Sequence, residues 1–297
     1  MKKKVLVVVG PTSSGKSALA VELAKKFNGE VISADSRQIY KGLDIGTGKI
    51  TKREMRGIRH HLLDIASPNK VFTASDFVRR ARKEIDIMIY HNKLPIIAGG
   101  TGFYIDALLG RISLPEVPTD SKLRTKLEKM SAPQLFTLLQ KRDPRRARTI
   151  DRHNKVRLVR ALEIVAALGS VPKNIKSPAL YDALWIGISP SSKELEHKIA
   201  IRLFARIRLG MIAEAKRLHA AGLSYERMEQ LGLEYRSLAR LLQKKISRKE
   251  FEAELLTAIR KYAKRQVTYW KRNKDIRWFK PSQKATAIAA VSAWLRS

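Results

Sequence analysis

Apolar residues recur along this chain with two different periods. Lys4-Val5-Leu6-Val7-Val8-Val9 is a short β-branched run, the pattern of a strand buried on both faces. Glu30–Ala34, Leu94–Ala98 and Ala183–Ile188 have the same character. Between them, Ser17–Phe27 and Ala74–His91 space their apolar residues as helices do, the second capped near Thr73 or Ser75. Such alternation predicts parallel βαβ units in a doubly wound sheet, with sites at the carboxyl ends of the strands. From Arg111 to about Ala179 the pattern changes to short helices punctuated by Pro115, Pro118, Pro133, Pro144, Pro172 and Pro178. The expected organisation is a core of residues 1–111 and 180–297 with a helical insertion over 112–179. Further helices are expected near Lys193–Ala221, Tyr235–Lys244, Arg248–Asn273 and Ala285–Leu295.

The turn between the first strand and first helix narrows the fold class. Gly10-Pro11-Thr12-Ser13-Ser14-Gly15-Lys16-Ser17 fits G-x-x-x-x-G-K-[ST] at every required position, in the strand–loop–helix setting that gives the motif its meaning. Glycines allow a tight turn, so that amide N–H groups converge on an anion at the helix N-terminus. Lys16 adds a positive charge, and Ser17 offers a hydroxyl to Mg²⁺. The fold class is therefore α/β, a P-loop NTPase-like doubly wound parallel sheet with a helical insertion domain and C-terminal helices, binding a di- or triphosphate.

Composition adds a second partner. Sixty Lys and Arg against 27 Asp and Glu give a net charge of +33. Residues 1–110 hold 19 basic and 10 acidic side chains (net +9), whereas residues 111–297 hold 41 and 17 (net +24). An excess of that size favours a polyanion, because neutralising phosphates releases condensed counterions. The absence of cysteine excludes disulfides, thiolate nucleophiles and cysteine-ligated zinc. No stretch approaches the roughly eighteen apolar residues of a membrane span. The lysine-rich start runs straight into the phosphate loop without a cleavage site. A cytoplasmic enzyme is the expectation, with no membrane and no protein partner implied.

Candidate chemistry clusters near the strand ends. Asp35, at the end of the second strand, is placed to act as a general base or to hold Mg²⁺ through water; its bland alternative is an Asp that caps a turn. The run Gly99-Gly100-Thr101-Gly102 allows close approach of a substrate. His60-His61 suggests packing or hydrogen bonding rather than a metal, since adjacent side chains diverge. Tyr262, Tyr269, Trp270, Trp278 and Phe279, at helical spacing, read as core more readily than as stacking platforms. Arg157 and Arg160 share a face of the helix Val156–Ala167. Together with Arg202, Arg206 and Arg208, and with Lys261, Lys264 and Arg265, they suggest a groove following a nucleic-acid backbone.

The series GPTSSGKS, ISADSRQIYKGLDIGTGKIT, HHLLDI, AGGTGFYIDALL, NKVRLVRALEIV, LGLEYRSLARLL and KYAKRQVTYWKR resembles the tRNA dimethylallyltransferase (tRNA isopentenyltransferase) family from about residue 4 to residue 279. The missing zinc-finger extension makes the resemblance one to the bacterial type. It implies that the loop Gly10, Pro11, Thr12, Ser13, Ser14, Gly15, Lys16, Ser17 holds dimethylallyl diphosphate with Mg²⁺, the metal meeting Ser17. The acceptor implied is the N6 amine of the adenine 3′ of the anticodon, flipped out of the anticodon stem-loop of tRNA.

The same resemblance implies that Asp35 removes the amine proton while Lys16, Ser17 and Arg202 stabilise the departing diphosphate. Asp35, Ser36, Arg37, Gln38 and Thr101 would form the adenine-facing wall. Arg124, Val156, Arg157, Leu158, Val159, Arg160 and the Gly232–Arg236 segment with Arg236 would contact tRNA. The sequence departs from the family at Ser14, commonly Ala, at Arg152-His153-Asn154-Lys155 in place of Pro-Asn-Asp, and at Glu234-Tyr235-Arg236 in place of Gly-Tyr-Arg. Competing readings are an isopentenyltransferase acting on free AMP or ADP, a P-loop small-molecule kinase, and an RNA-binding protein without catalysis.

Overall fold

The computed structural model describes residues 2–118, 120–173 and 179–297. In chain order the elements begin β1 (Lys3–Val9), α1 (Lys16–Lys26), β2 (Gly29–Ser33), α2 (Lys52–Met55), β3 (His60–His61), α3 (Ala74–Tyr90), β4 (Leu94–Gly99) and α4 (Gly102–Leu108). Then come α5 (Ser121–Glu128), α6 (Ala132–Arg142), α7 (Pro144–Ala147) and α8 (Lys155–Leu168). The chain closes with β5 (Tyr181–Ile188), α9 (Ser192–Arg208), α10 (Met211–Ala220), α11 (Tyr225–Leu231), α12 (Leu233–Leu242), α13 (Arg248–Trp270), β6 (Ile276–Phe279) and α14 (Lys284–Arg296). Two compact units result: Met1–Gly110 with Pro178–Ser297, and Arg111–Ser177.

In the larger unit the strands form one parallel sheet ordered β3–β2–β4–β1–β5–β6. β1 lies between β4 (Val8 against Ala98) and β5 (Val5 against Ala183). With both neighbours in place its Val5–Val9 run is wholly buried, which is why it reads as unbroken apolar rather than alternating. One sheet face packs Leu6, Val8, Ile96 and Ile186 against Leu19 and Leu23 of α1 and Val291 of α14. A second core joins α9 to α13 around Leu203, Met211, Leu238, Phe251 and Leu255, and takes in Ile39, Tyr40 and Leu43 from the segment after β2. No helix among the described residues is long and apolar enough to cross a membrane.

The smaller unit has its own core: Leu127, Leu135, Leu139, Leu158, Val159 and Leu162. Its helix starts follow local rules. Ser131 and Gln134 form a reciprocal capping box on α6, with Pro133 in the first turn, and Asn154 caps α8 through the Arg157 N–H. Pro178, counted among the punctuating prolines, lies outside the described residues.

Several boundaries differ from the sequence expectation. The single helix expected over Lys193–Ala221 is two, α9 and α10, because Gly210 adopts φ +102°, a conformation that ends one helix and starts the next. Trp278 and Phe279 are not at helical spacing but on β6, a four-residue strand too short to show a period. His60-His61 is a two-residue strand on β2. His61 there lies between Glu30 (2.6 Å) and Glu84 (2.8 Å), and His60 Nδ1 meets the Ile58 carbonyl, so both imidazoles serve local hydrogen bonding.

Candidate active site

The phosphate loop closes the carboxyl end of β1. Gly15 holds φ +94° and Ser13 φ +62°, which turns the backbone sharply into α1. The Ser14 N–H donates to the Pro11 carbonyl (3.2 Å), and the Ser14 hydroxyl is buried without a partner. The N–H groups of Gly15, Lys16 and Ser17, at the start of α1, donate to no protein partner among the described residues, as the first turn of a helix requires. Lys16 Nζ reaches the Pro11 carbonyl at 3.2 Å. Loss of water around that ammonium lowers its pKa to about 8, against a raising effect from Asp35 and a further lowering by Arg202.

Asp35 follows β2, whose pairing with β4 sets Ser33 against Ala98 and so brings the two strand ends together. Its Oδ1 accepts from the Arg37 N–H (2.8 Å) and the Gln38 N–H (3.3 Å), while Oδ2 has no partner among the described residues. Both readings of Asp35 are therefore realised in one carboxylate: one oxygen builds the turn and the other is left to the site. The Ser36 N–H donates to Thr101 Oγ1 (3.0 Å), tying this turn to the one after β4.

A cavity of about 320 Å³ joins these parts. Thr12, Lys16, Ser17, Asp35, Ser36, Arg37, Gln38, Arg202 and Arg236 all line it. Arg202 donates to the Gly48 carbonyl (2.7 Å), which Gln38 Nε2 also approaches (3.3 Å). Desolvation by the cleft, and then Arg206, lower the Arg202 pKa from its usual value. With Lys16, Arg37, Arg202, Arg236 and Arg265 on its wall against Asp35 and Glu234, the cavity is built for anions.

The loop that receives Arg202 is held from behind by a buried carboxylate. Glu214 accepts the N–H groups of Asp44 (3.1 Å), Ile45 (2.7 Å) and Gly46 (2.8 Å) and the Tyr235 hydroxyl (2.7 Å). Arg206 completes the support, donating to the Gly46 carbonyl (2.7 Å) and to Glu234 (3.2 Å). Arg206 is thus an internal brace rather than part of a nucleic-acid groove.

Other expectations change in the same way. The glycines at the end of β4 and just beyond it make room for neighbouring protein atoms: a Cβ at Gly99 would lie 2.1 Å from the Ala34 carbonyl oxygen, at Gly100 2.1 Å from Gln266, and at Gly102 2.2 Å from the Tyr269 ring. Thr101 is not on the cavity wall; its hydroxyl is occupied by Ser36. In the unit Arg111–Ser177, Leu158 and Val159 are core residues, 0% and 3% exposed, so their side chains cannot meet RNA. Arg124 holds Glu163 with two bonds (2.9 and 2.7 Å), and Arg160 holds Glu163 (3.3 Å) and the Val117 carbonyl (2.8 Å). Val156, 79% exposed, and Arg157, exposed with no side-chain partner among the described residues, remain open to solvent.

α13 adds Tyr262, which its spacing suggests is core, Arg265, expected in a nucleic-acid groove, and Gln266, which no sequence expectation covers, to the cavity lining. The signal for Gln266 was present. Phe251, Leu255, Ile259, Ala263 and Trp270 form the buried stripe of α13, and Gln266 is the polar residue on it. A buried carboxamide requires partners, which here are the Thr12 N–H (2.8 Å) and the Gly100 carbonyl (3.0 Å).

A parallel α/β sheet, a phosphate loop at its central strand and a cation-walled cavity at the strand ends define a P-loop protein built to hold an anionic substrate beside a carboxylate. The family model described as IPP transferase matches residues 38–273, and the chain belongs to that family. A tRNA dimethylallyltransferase 1 of Geotalea daltonii is 42% identical over 267 residues, covering 90% of this chain and 86% of its own. The crystal structure of the full-length tRNA isopentenylpyrophosphate transferase of Bacillus halodurans matches with a TM-score of 0.75 at 32% identity, covering 100% of this chain and 97% of that one. A eukaryotic dimethylallyltransferase acting on tRNA matches with a TM-score of 0.83 at 26% identity, covering 97% of this chain and 79% of that one.

Proposed function

We propose that this protein transfers the dimethylallyl group of dimethylallyl diphosphate to the exocyclic N6 amine of the adenine immediately 3′ of the anticodon in tRNA, releasing diphosphate, in the cytoplasm. The observation that carries the reading is the meeting of Lys16, Ser17 and the unpaired oxygen of Asp35 on one cavity wall. Diphosphate fits the start of α1, where free N–H groups and the Lys16 ammonium offer charge-assisted hydrogen bonds. Arg202 adds a second cation for the charge that grows as the carbon–oxygen bond breaks.

The amine nitrogen attacks the allylic carbon, the carbon–oxygen pair leaves with diphosphate, and the amine proton passes to Asp35. An arylamine is a poor nucleophile, so orienting it and removing its proton both lower the barrier. The Ser17 hydroxyl is a hard oxygen donor suited to Mg²⁺, which when bound neutralises diphosphate charge. A stacked adenine cannot enter such a cavity, so the base is taken from the anticodon loop, with Arg37, Arg236 and Arg265 meeting the nucleotide and its neighbours.

The test is incubation with radiolabelled dimethylallyl diphosphate, Mg²⁺, and either unmodified tRNA or AMP. Label is expected in tRNA alone and is lost with Asp35→Asn. Label in AMP would move the activity to the free-nucleotide reaction, and ATP turnover without label in either would return the chain to a kinase.

A further inference from the structure

The geometry points to Gln266 as a specificity-determining residue that limits the phosphate loop to two phosphates. This rests on the diphosphate reading above. Phosphate loops bind anions through converging backbone N–H groups, and each group bound internally is lost to the ligand. Here the N–H of Thr12, in the first half of the loop, is already donated to Gln266 Oε1 at 2.8 Å. The other end of that carboxamide is fixed as well, since Nε2 donates to the Gly100 carbonyl at 3.0 Å. Gln266 is 5% exposed, yet it lines the cavity, so its neutral carboxamide forms the wall beside the loop's first half.

The consequences for a ligand differ along the loop. The second half keeps the free N–H groups of Gly15, Lys16 and Ser17 and the Lys16 ammonium, enough to hold two phosphates at the start of α1. A third phosphate extending toward Thr12 meets an amide oxygen instead of an N–H donor, and must give up water without a replacement bond. Glycine at position 100 belongs to the same device, because a Cβ there would sit 2.1 Å from Nε2 and expel the carboxamide.

Calorimetric titration of the full chain with inorganic pyrophosphate and with inorganic tripolyphosphate, in Mg²⁺, tests this without prenyl transfer. The unaltered protein is expected to bind pyrophosphate the more tightly. Gln266→Ala, which frees the Thr12 N–H, and Gly100→Ala, which expels the carboxamide without altering it, should each move the affinity ratio about tenfold toward tripolyphosphate. Equal or tighter binding of tripolyphosphate by the unaltered protein overturns the proposal, as does an unchanged ratio in whichever variant folds. Failure of label to enter tRNA would instead remove the functional reading, and the two failures are separately visible.

Discussion

Lys16 sits half-buried beside Arg202 and Asp35, and loss of water around its ammonium lowers its pKa to about 8. The charged form therefore predominates at pH 7 and is lost as pH rises through that value. The affinity for pyrophosphate of the unaltered protein relative to Lys16→Ala should fall by up to about tenfold between pH 7 and pH 9. Calorimetry at the two values checks this, and a ratio independent of pH would remove Lys16 from the anion site. Asp35→Asn keeps the turn, since an amide oxygen can still accept from Arg37 and Gln38, but it cannot take the amine proton. Single-turnover transfer should slow at least ~100-fold with tRNA affinity retained. At this scale the sequence displayed the phosphate loop and Asp35 because their chemistry is local. It did not display what the glycines of residues 99–102 face, because Ala34, Gln266 and Tyr269 come from distant segments.

At the scale of elements, a helix or strand was legible where its period could be counted, and illegible where two or four residues do not make a period. β3 and β6 are of the second kind, and the α9–α10 break turned on one glycine. Burial within a helix was legible only in part. Leu158 and Val159 lie between the arginines Arg157 and Arg160 in sequence, but α8 turns them into the core of its unit. Leu158→Ala should cost about 2–5 kcal/mol through the cavity it leaves, measured by denaturant unfolding. The loop after β2 makes a different demand, for Glu214 satisfies four donors at once. Glu214→Gln places an amide N–H against one of them and should destabilise the protein by about 1–3 kcal/mol. Because Arg202 takes its bearing from Gly48 in the same loop, the Km for the prenyl donor should rise as well.

For the whole molecule, charge and fold class were the most legible properties, since neither depends on an exact boundary. The +33 net charge predicts tRNA binding that weakens steeply with salt. Arg157, whose side chain is exposed and has no partner among the described residues, is the residue through which that term is best tested. Arg157→Ala should weaken binding to all tRNA substrates alike and reduce the slope of log affinity against log salt by about one. Arg124 and Arg160 behave differently, because both hold the buried Glu163. Their removal strands a carboxylate and is read first in unfolding rather than in the salt slope.

The position of β1 also governs how the protein is born. Its residues leave the ribosome well before those of one neighbour in the sheet, β5, which ends only at Ile188. At roughly 5–20 residues per second, a nascent chain carries Val5–Val9 with at least one open edge for about ten seconds or longer. During that interval the strand is an adhesive apolar edge, and a holding chaperone that favours such segments should crosslink to ribosome-bound chains halted before residue 181 and release those that extend well past residue 188.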